Sequence, residues 1–273
     1  MPAGVRSGFV KTAGGRLFYQ ESGRGHAIVF IHGGQMDSRM WDGQFGSYAK
    51  KYRVIRYDVR GFGRTGPPVK GYSDVGDLFA LLGFLKIKSV SIVGLSLGGR
   101  IAVDFALAHP TMVDSIVLAD PGLSGWKWSE DEERRGEAIF KAARDDSIQK
   151  SAEMWLADPY MAPAMKKQAI RKRIRQLVMD NAPDEFANPF LNRDLDLKSI
   201  DHLSEVHAPS LILIGDQDVP DIKKIVDTLA AGIKSSRKEV ITDSGHITNM
   251  EQPEQFDRLV LAFLSGVYGQ RGN

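Results

Sequence analysis

The sequence has no cysteine among its 273 residues. That excludes disulfide frameworks, thiolate metal sites and cysteine nucleophiles together. It also has little excess of either charge. Lys+Arg 36 against Asp+Glu 34 leaves +2, short of the strong basic surplus of a dedicated nucleic-acid binder. Histidine is scarce. The six (His26, His32, His109, His202, His207 and His246) show no HExxH or other tight ligand spacing, so no metal site is expected. No apolar run approaches the roughly 20 residues of a membrane helix; runs such as Ala27–Ile31 and Ser115–Ala119 are strand-sized. Met1–Lys11 lacks an apolar h-region, so no secretory signal is expected and the expected location is the cytoplasm. What is present is ordinary globular composition, 42% apolar and 26% charged, which argues against wholesale disorder. The length fits one large α/β domain, or a core domain carrying an insert.

Short apolar runs alternate with helical patterns, the grammar of a mostly parallel sheet with helices on both faces. Gly8–Lys11 and Arg16–Gln20 flank Thr12-Ala13-Gly14-Gly15 and read as a hairpin. Strands are expected at Ala27–Ile31, Tyr52–Tyr57, Val90–Val93 and Ser115–Ala119, each rich in Val and Ile. Val75, Leu78, Phe79, Leu82 and Leu85 recur at helical spacing. Arg100–Ala108 continues as a helix and stops before Pro110. From about Leu123 to His207 no strand-like run occurs. That stretch is charged and aromatic (Trp126, Trp128, Phe140, Trp155, Tyr160, Phe186, Phe190) and cut by Pro159, Pro163, Pro183 and Pro189. Strand patterns resume at Ser210–Gly215 and Lys238–Thr242, and an amphipathic helix, Pro253–Leu264, closes the chain. The expected organisation is an α/β core, residues 1–122 and 208–273, interrupted by an all-helical insert of about 85 residues at 123–207. The basic cluster Arg171-Lys172-Arg173 with Arg175 is expected to be a solvated helix face, since the whole chain is nearly neutral.

Gly94-Leu95-Ser96-Leu97-Gly98 matches G-x-S-x-G, a weak signal alone. Here a strand leads in and a helix follows. A serine on such a tight strand-to-helix turn has a strained backbone and a hydroxyl exposed above the sheet. A hydroxyl is a weak nucleophile at neutral pH and needs a base. His246, just past the last strand and before the final helix, is the candidate. The base needs a carboxylate to fix its tautomer. Asp218, after the strand Leu211–Ile214, is preferred, with Asp120, at the end of Ser115–Ala119, as the alternative; Asp216 is expected to cap the same turn. An oxyanion needs two donors. The backbone N–H of Leu97 is one candidate. The second is expected from His32-Gly33-Gly34-Gln35, with Gly34 chosen and Gly33 and Gln35 as fallbacks. His32 itself is expected to make an orienting hydrogen bond.

Across nearly its whole length the chain resembles the α/β-hydrolase superfamily, and within it the capped serine hydrolases of the carboxylesterase and enol-lactone hydrolase kind. Ser96, Asp218 and His246 follow the family's nucleophile–acid–histidine order. Phe30-Ile31-His32-Gly33-Gly34 looks like its oxyanion strand and turn. Asp58-Val59-Arg60-Gly61-Phe62-Gly63-Arg64-Thr65 looks like its D-x-R-G-x-G-x-S turn, with Thr65 in place of Ser. The resemblance implies a mostly parallel eight-stranded sheet and a helical cap. It implies a hydrolase that cleaves a carboxylic ester or lactone bond of a small molecule through an acyl-enzyme. Neither metal nor organic cofactor is implied, nor a nucleic-acid or membrane partner. A serine at the elbow argues against the haloalkane dehalogenase and epoxide hydrolase branches, which use aspartate there. Proline iminopeptidase, carbon–carbon bond hydrolase, cofactor-free perhydrolase and small-molecule receptor stay open as alternatives, because fold does not fix function. The iminopeptidases usually carry extra acidic residues in the cap; Glu130, Asp131, Glu132 and Glu133 look instead like an exposed helix start.

Overall fold

Four of the expected strands are buried along their whole length: β3 (Ala27–Ile31), β5 (Val90–Leu95), β6 (Val113–Ala119) and β7 (Ser210–Gly215). Runs rich in Val, Ile and Leu belong in the centre of a parallel sheet, where both faces are covered. In this computed structural model, which describes residues 4–181 and 191–269, they pair in parallel as β3–β5–β6–β7. β4 (Arg53–Tyr57) adds to β3 and β8 (Ser236–Ile241) to β7, both also parallel. The N-terminal hairpin, β1 (Arg6–Thr12) and β2 (Gly15–Ser22), closes at Thr12↔Gly15, and β2 runs antiparallel to β4. The full order is β1-β2-β4-β3-β5-β6-β7-β8, one sheet of eight strands.

Helices flank this sheet: α1 (Asp42–Tyr48), α2 (Asp74–Phe84) and α3 (Leu97–Ala108) in the first half. Between β6 and β7 lie α4 (Glu130–Asp145), α5 (Ile148–Ala157), α6 (Ala162–Lys166) and α7 (Gln168–Asp180), then 3-10 turns at Arg193–Asp196 and Ser199–Glu205. α8 (Pro220–Gly232), α9 (Thr248–Glu251) and α10 (Pro253–Gly269) complete the chain. Pro183, Phe186, Pro189 and Phe190 lie outside the described residues. Among the boundaries that differ from the sequence pattern, three have a visible cause or consequence. β5 runs on to Leu95 and α3 begins at Leu97 rather than Arg100, so strand meets helix at Ser96 with no loop between. Gly98 and Gly99 lower helix propensity, but packing overrides it: a Cβ on Gly98 would sit 2.2 Å from the Ile31 carbonyl oxygen of β3. α10 extends to Gly269 because Tyr268 is still inserted, its hydroxyl bonded to Ser91 Oγ (2.8 Å).

The β6–β7 segment is anchored to the sheet by apolar packing and by buried polar ties. Ala152, Leu156, Tyr160, Met161, Ile174, Leu177 and Val178 belong to the same buried apolar cluster as the sheet strands. At one root, Asp104 of α3 accepts from Ser124 Oγ (2.8 Å) and Ser199 Oγ (2.5 Å). At the end of α7, Asn181 donates to Asp37 Oδ2 and accepts from the Gly63 N–H, both at 2.6 Å. Of the basic cluster, Arg173 pairs with Asp42 (2.6 Å) and Arg175 with Glu153. Among the described residues no helix is long and apolar enough to cross a membrane.

Candidate active site

Ser96 stands at the end of β5 with φ +54° and ψ −111°. For a non-glycine residue this backbone costs about 1–3 kcal/mol and persists only where its surroundings hold it. The hold is visible. The Ser96 N–H donates to the Ala119 carbonyl (2.9 Å), and its own carbonyl accepts from Arg100 (3.1 Å) and Gly122 (3.0 Å). Gly94 is required because a Cβ there would lie 2.1 Å from the Gly98 carbonyl oxygen. Leu97 opens α3, so its N–H is one of the first-turn donors that have no partner inside the helix.

His246 lies in the link from β8 to α9 and is 4% exposed. Its Nδ1 is 2.8 Å from Asp218 Oδ2, and Asp218 Oδ1 accepts from the Val219 N–H (2.7 Å). Of the two acids weighed for the histidine, the structure brings Asp218 to it; Asp120 is wholly buried beside Asp218. Burial, and after it the charge of Asp218, pushes the Asp120 acid well above the usual carboxylate range. Asp216 accepts from the Ser244 N–H (3.1 Å), a turn-fixing role.

The histidine link has a further anchor that the sequence pattern did not disclose. The Glu251 carboxyl, fully buried, accepts from the N–H groups on either side of the histidine, Gly245 (3.0 Å) and Ile247 (3.1 Å). The signal was present, a glutamate five residues after His246, but only the fold shows that α9 turns it back under the link.

The His32-Gly33-Gly34-Gln35 turn follows β3. His32 is completely buried and makes two hydrogen bonds: its Nε2 accepts from the Val59 N–H (2.8 Å) and its Nδ1–H donates to the Gly33 carbonyl (2.8 Å). Burial lowers its pKa, keeping the ring neutral. Beneath it the Asp58–Thr65 turn is fixed by Asp58, which accepts from Ser38 N (2.9 Å) and Arg64 N (2.8 Å). Thr65 serves where serine is usual: its hydroxyl donates to Asp58 O (2.5 Å) and accepts from Phe18 N (3.0 Å). Gly33 N donates to the Met40 sulfur (3.3 Å), which leaves Gly34 and Gln35 as the oxyanion candidates on this turn.

These pieces surround one cavity of 560 Å³, with Ser96, Leu97, Gly34 and His246 in its wall. The opposite wall comes from the β6–β7 segment, and of the aromatics named there from the sequence, Trp126, Trp128, Phe140, Trp155 and Tyr160 line it. The Tyr160 ring meets the His246 ring edge-on at 4.6 Å. One expectation fails here. Glu130 and Glu133 remain at the surface, as an exposed helix start would have them, but Glu132 turns inward to the cavity. It is held by Arg135 and by the Tyr160 hydroxyl, and burial raises its pKa. Helical rotation carries every fourth position to the covered face, so one acid of a run of four is half-buried. Among the described residues no group of three or more His, Asp or Glu is placed to hold a metal ion.

The alpha/beta hydrolase family model matches residues 28–259. The chain is similar to 2-hydroxy-6-oxononadienedioate/2-hydroxy-6-oxononatrienedioate hydrolase 2 of Pseudomonas putida, 30% identical over 267 residues that cover 91% of this chain and 91% of that one. It is similar to 3-oxoadipate enol-lactonase 1 of Acinetobacter baylyi, 26% identical over 249 residues, 88% of this chain and 89% of that one. Among solved structures, a hydrolase from Pseudomonas aeruginosa superposes with a TM-score of 0.83 at 26% identity, covering 95% of this chain and 98% of that one.

Proposed function

This chain belongs to the alpha/beta hydrolase family, and from that premise we propose that it cleaves a carboxylic ester or lactone bond of a small molecule, with Ser96, His246 and Asp218 as its catalytic triad. The observation that carries the reading is the pairing of a serine in a strained elbow with a histidine whose Nδ1 is fixed by a buried carboxylate, both in the wall of one cavity. Asp218 accepts from Nδ1–H, so Nε2 carries the lone pair. Nε2 takes the Ser96 proton as Oγ attacks the carbonyl carbon. The oxyanion is held by the Leu97 and Gly34 N–H groups, and collapse of the tetrahedral intermediate expels the alcohol, which takes the proton from His246. Water then enters by the same path: His246 removes its proton, and the acyl-enzyme hydrolyses to acid and free Ser96. The segment at 123–207 acts as the cap that selects the substrate. The cavity is of bounded volume and largely apolar, with aromatics across the wall opposite Ser96, which favours compact acyl groups over long chains.

A second reading, hydrolysis of a carbon–carbon bond, is favoured by the Pseudomonas putida relative at 30% identity; the same nucleophile and base would serve it. The test uses both substrate classes. Turnover of a short acyl ester or an enol-lactone is expected, and a 2-hydroxy-6-oxodienoate turned over faster than any ester would favour the second reading. An organophosphonate is expected to add one mass equivalent to the wild type and none to Ser96→Ala. That variant is expected to fold and to lose about four orders of magnitude or more of turnover. Labelling at another serine would refute the assignment.

A further inference from the structure

Asp120 takes no part in the reaction as proposed, yet it sits where all three reacting side chains are supported. It is 0% exposed, and its φ of +45° is left-handed, a conformation with a steric cost for aspartate. Its Oδ1 accepts from the Gly215 N–H (2.8 Å), three residues before Asp218. Its Oδ2 is 2.7 Å from the Thr248 hydroxyl, two residues after His246. Its backbone N–H donates to Leu213 of β7 (2.9 Å), and the carbonyl just before it, on Ala119, accepts the Ser96 N–H (2.9 Å). A residue that merely ended β6 would need none of the side-chain bonds.

We propose that Asp120 is a positioning residue: its buried carboxyl clamps the elbow of Ser96, the loop of Asp218 and the loop of His246 to one another. The proposal rests on the triad reading above. The clamp works as a neutral acid. Two carboxylates in contact in a dry interior cannot both be ionised. The negative charge belongs on Asp218, which faces the imidazole N–H and the Val219 N–H. The proton therefore stays on Asp120, in agreement with the upward push of burial and of Asp218 on its acid. Asp218 is the titratable group that faces it; Gly215 and Thr248, which face it from the other two loops, are uncharged. One charge beside His246 rather than two keeps the imidazolium from being stabilised too strongly to give its proton to the leaving group.

Asp120→Asn keeps the shape, stays neutral and offers N–H donors. It is expected to hold kcat/KM within about threefold of wild type and to leave the acidic limb of the kcat/KM–pH profile in place. Asp120→Ala removes the clamp and is expected to lower kcat about 10–100-fold with KM within about threefold. Asparagine therefore rescues what alanine loses. Should Asp120→Ala fail to fold, Thr248→Val cuts one strand of the clamp from outside and is expected to lower kcat about 3–10-fold at unchanged KM. A fall in the acidic limb by a unit or more in Asp120→Asn would show that Asp120 is charged in the working enzyme and overturn the proposal. So would full kcat in both Asp120→Ala and Thr248→Val. Asp218→Asn separates this failure from that of the triad. It is expected to cost about 10⁴ in kcat by analogy with triad acids; if it is mild and Asp120→Asn severe, the triad acid itself is misassigned.

Discussion

His32 shows how much one side chain's protonation contributes outside the chemistry. Its ring must accept from Val59 N–H and donate to Gly33 O at once, which only the neutral form can do. Burial lowers its pKa. In the unfolded chain the ring takes a proton below about 6.5. The unfolded state then binds more protons than the folded one, and stability falls as pH drops from about 6.5 toward the folded pKa. Asp120 works in the opposite sense: its raised acid makes the folded state the one that holds the proton, so its contribution falls as pH rises above about 4. Urea titrations from pH 7 to pH 5 are expected to show the wild type losing up to about 1.4 kcal/mol per pH unit more than His32→Gln, which has no such group. Equal slopes would mean that His32 is not neutral in the folded protein. At this scale the sequence pointed to candidates by type and order, and the fold brings His246 against Asp218 and places Ser96 and His246 in the wall of one cavity. Glu132 and Glu251 were not legible, because a carboxylate's burial is decided by residues far away in sequence. The Glu132 partner Tyr160 is 28 positions away, and Glu251 reaches the backbone around His246 only through the turn of α9.

The two faces of α4 have separate duties. Its outer face carries ion pairs such as Lys141–Asp145, while Glu132 and Phe140 turn toward the cavity. α7 instead places Ile174, Leu177 and Val178 in the core. Substitutions in the two helices are therefore expected to differ in kind. Phe140→Ala is expected to leave the melting temperature nearly unchanged and to shift the kcat/KM ratio of a bulky to a small ester by about tenfold or more. Ile174→Ala is expected to cost about 2–5 kcal/mol of stability and to scale all substrates alike. A Phe140→Ala enzyme with the wild-type ratio would remove this segment from substrate selection. The helical character of residues 130–180 was readable from charge and spacing, and so were the apolar strands. The start of α3 was not. Glycine pairs read as a loop, whereas here they are helical because β3 packs against them at backbone contact.

Over the whole molecule one apolar cluster runs from the sheet into the β6–β7 segment without a break. Such continuity implies a single cooperative unit rather than a core with a loosely attached lid. The four tryptophans make this measurable. Trp41 is buried in the core, while Trp126, Trp128 and Trp155 lie in the segment. In Trp41→Phe, fluorescence reports the segment alone and circular dichroism the entire fold; their urea transitions are expected to coincide. Earlier loss of fluorescence would show that the segment unfolds by itself. The glycines at the strand ends bear on a different question, how such a protein can change over generations. Added Cβ atoms would strike backbone at 2.1 Å at both Gly94 and Gly215, so the supports of Ser96 and of Asp218 admit almost no variation. Gly34 has no neighbour within 4 Å of its would-be Cβ, and the wall opposite is rich in aromatic side chains. A lineage descended from this chain would thus keep the backbone around Ser96 and Asp218 almost by force and drift at Gly34 and across the wall.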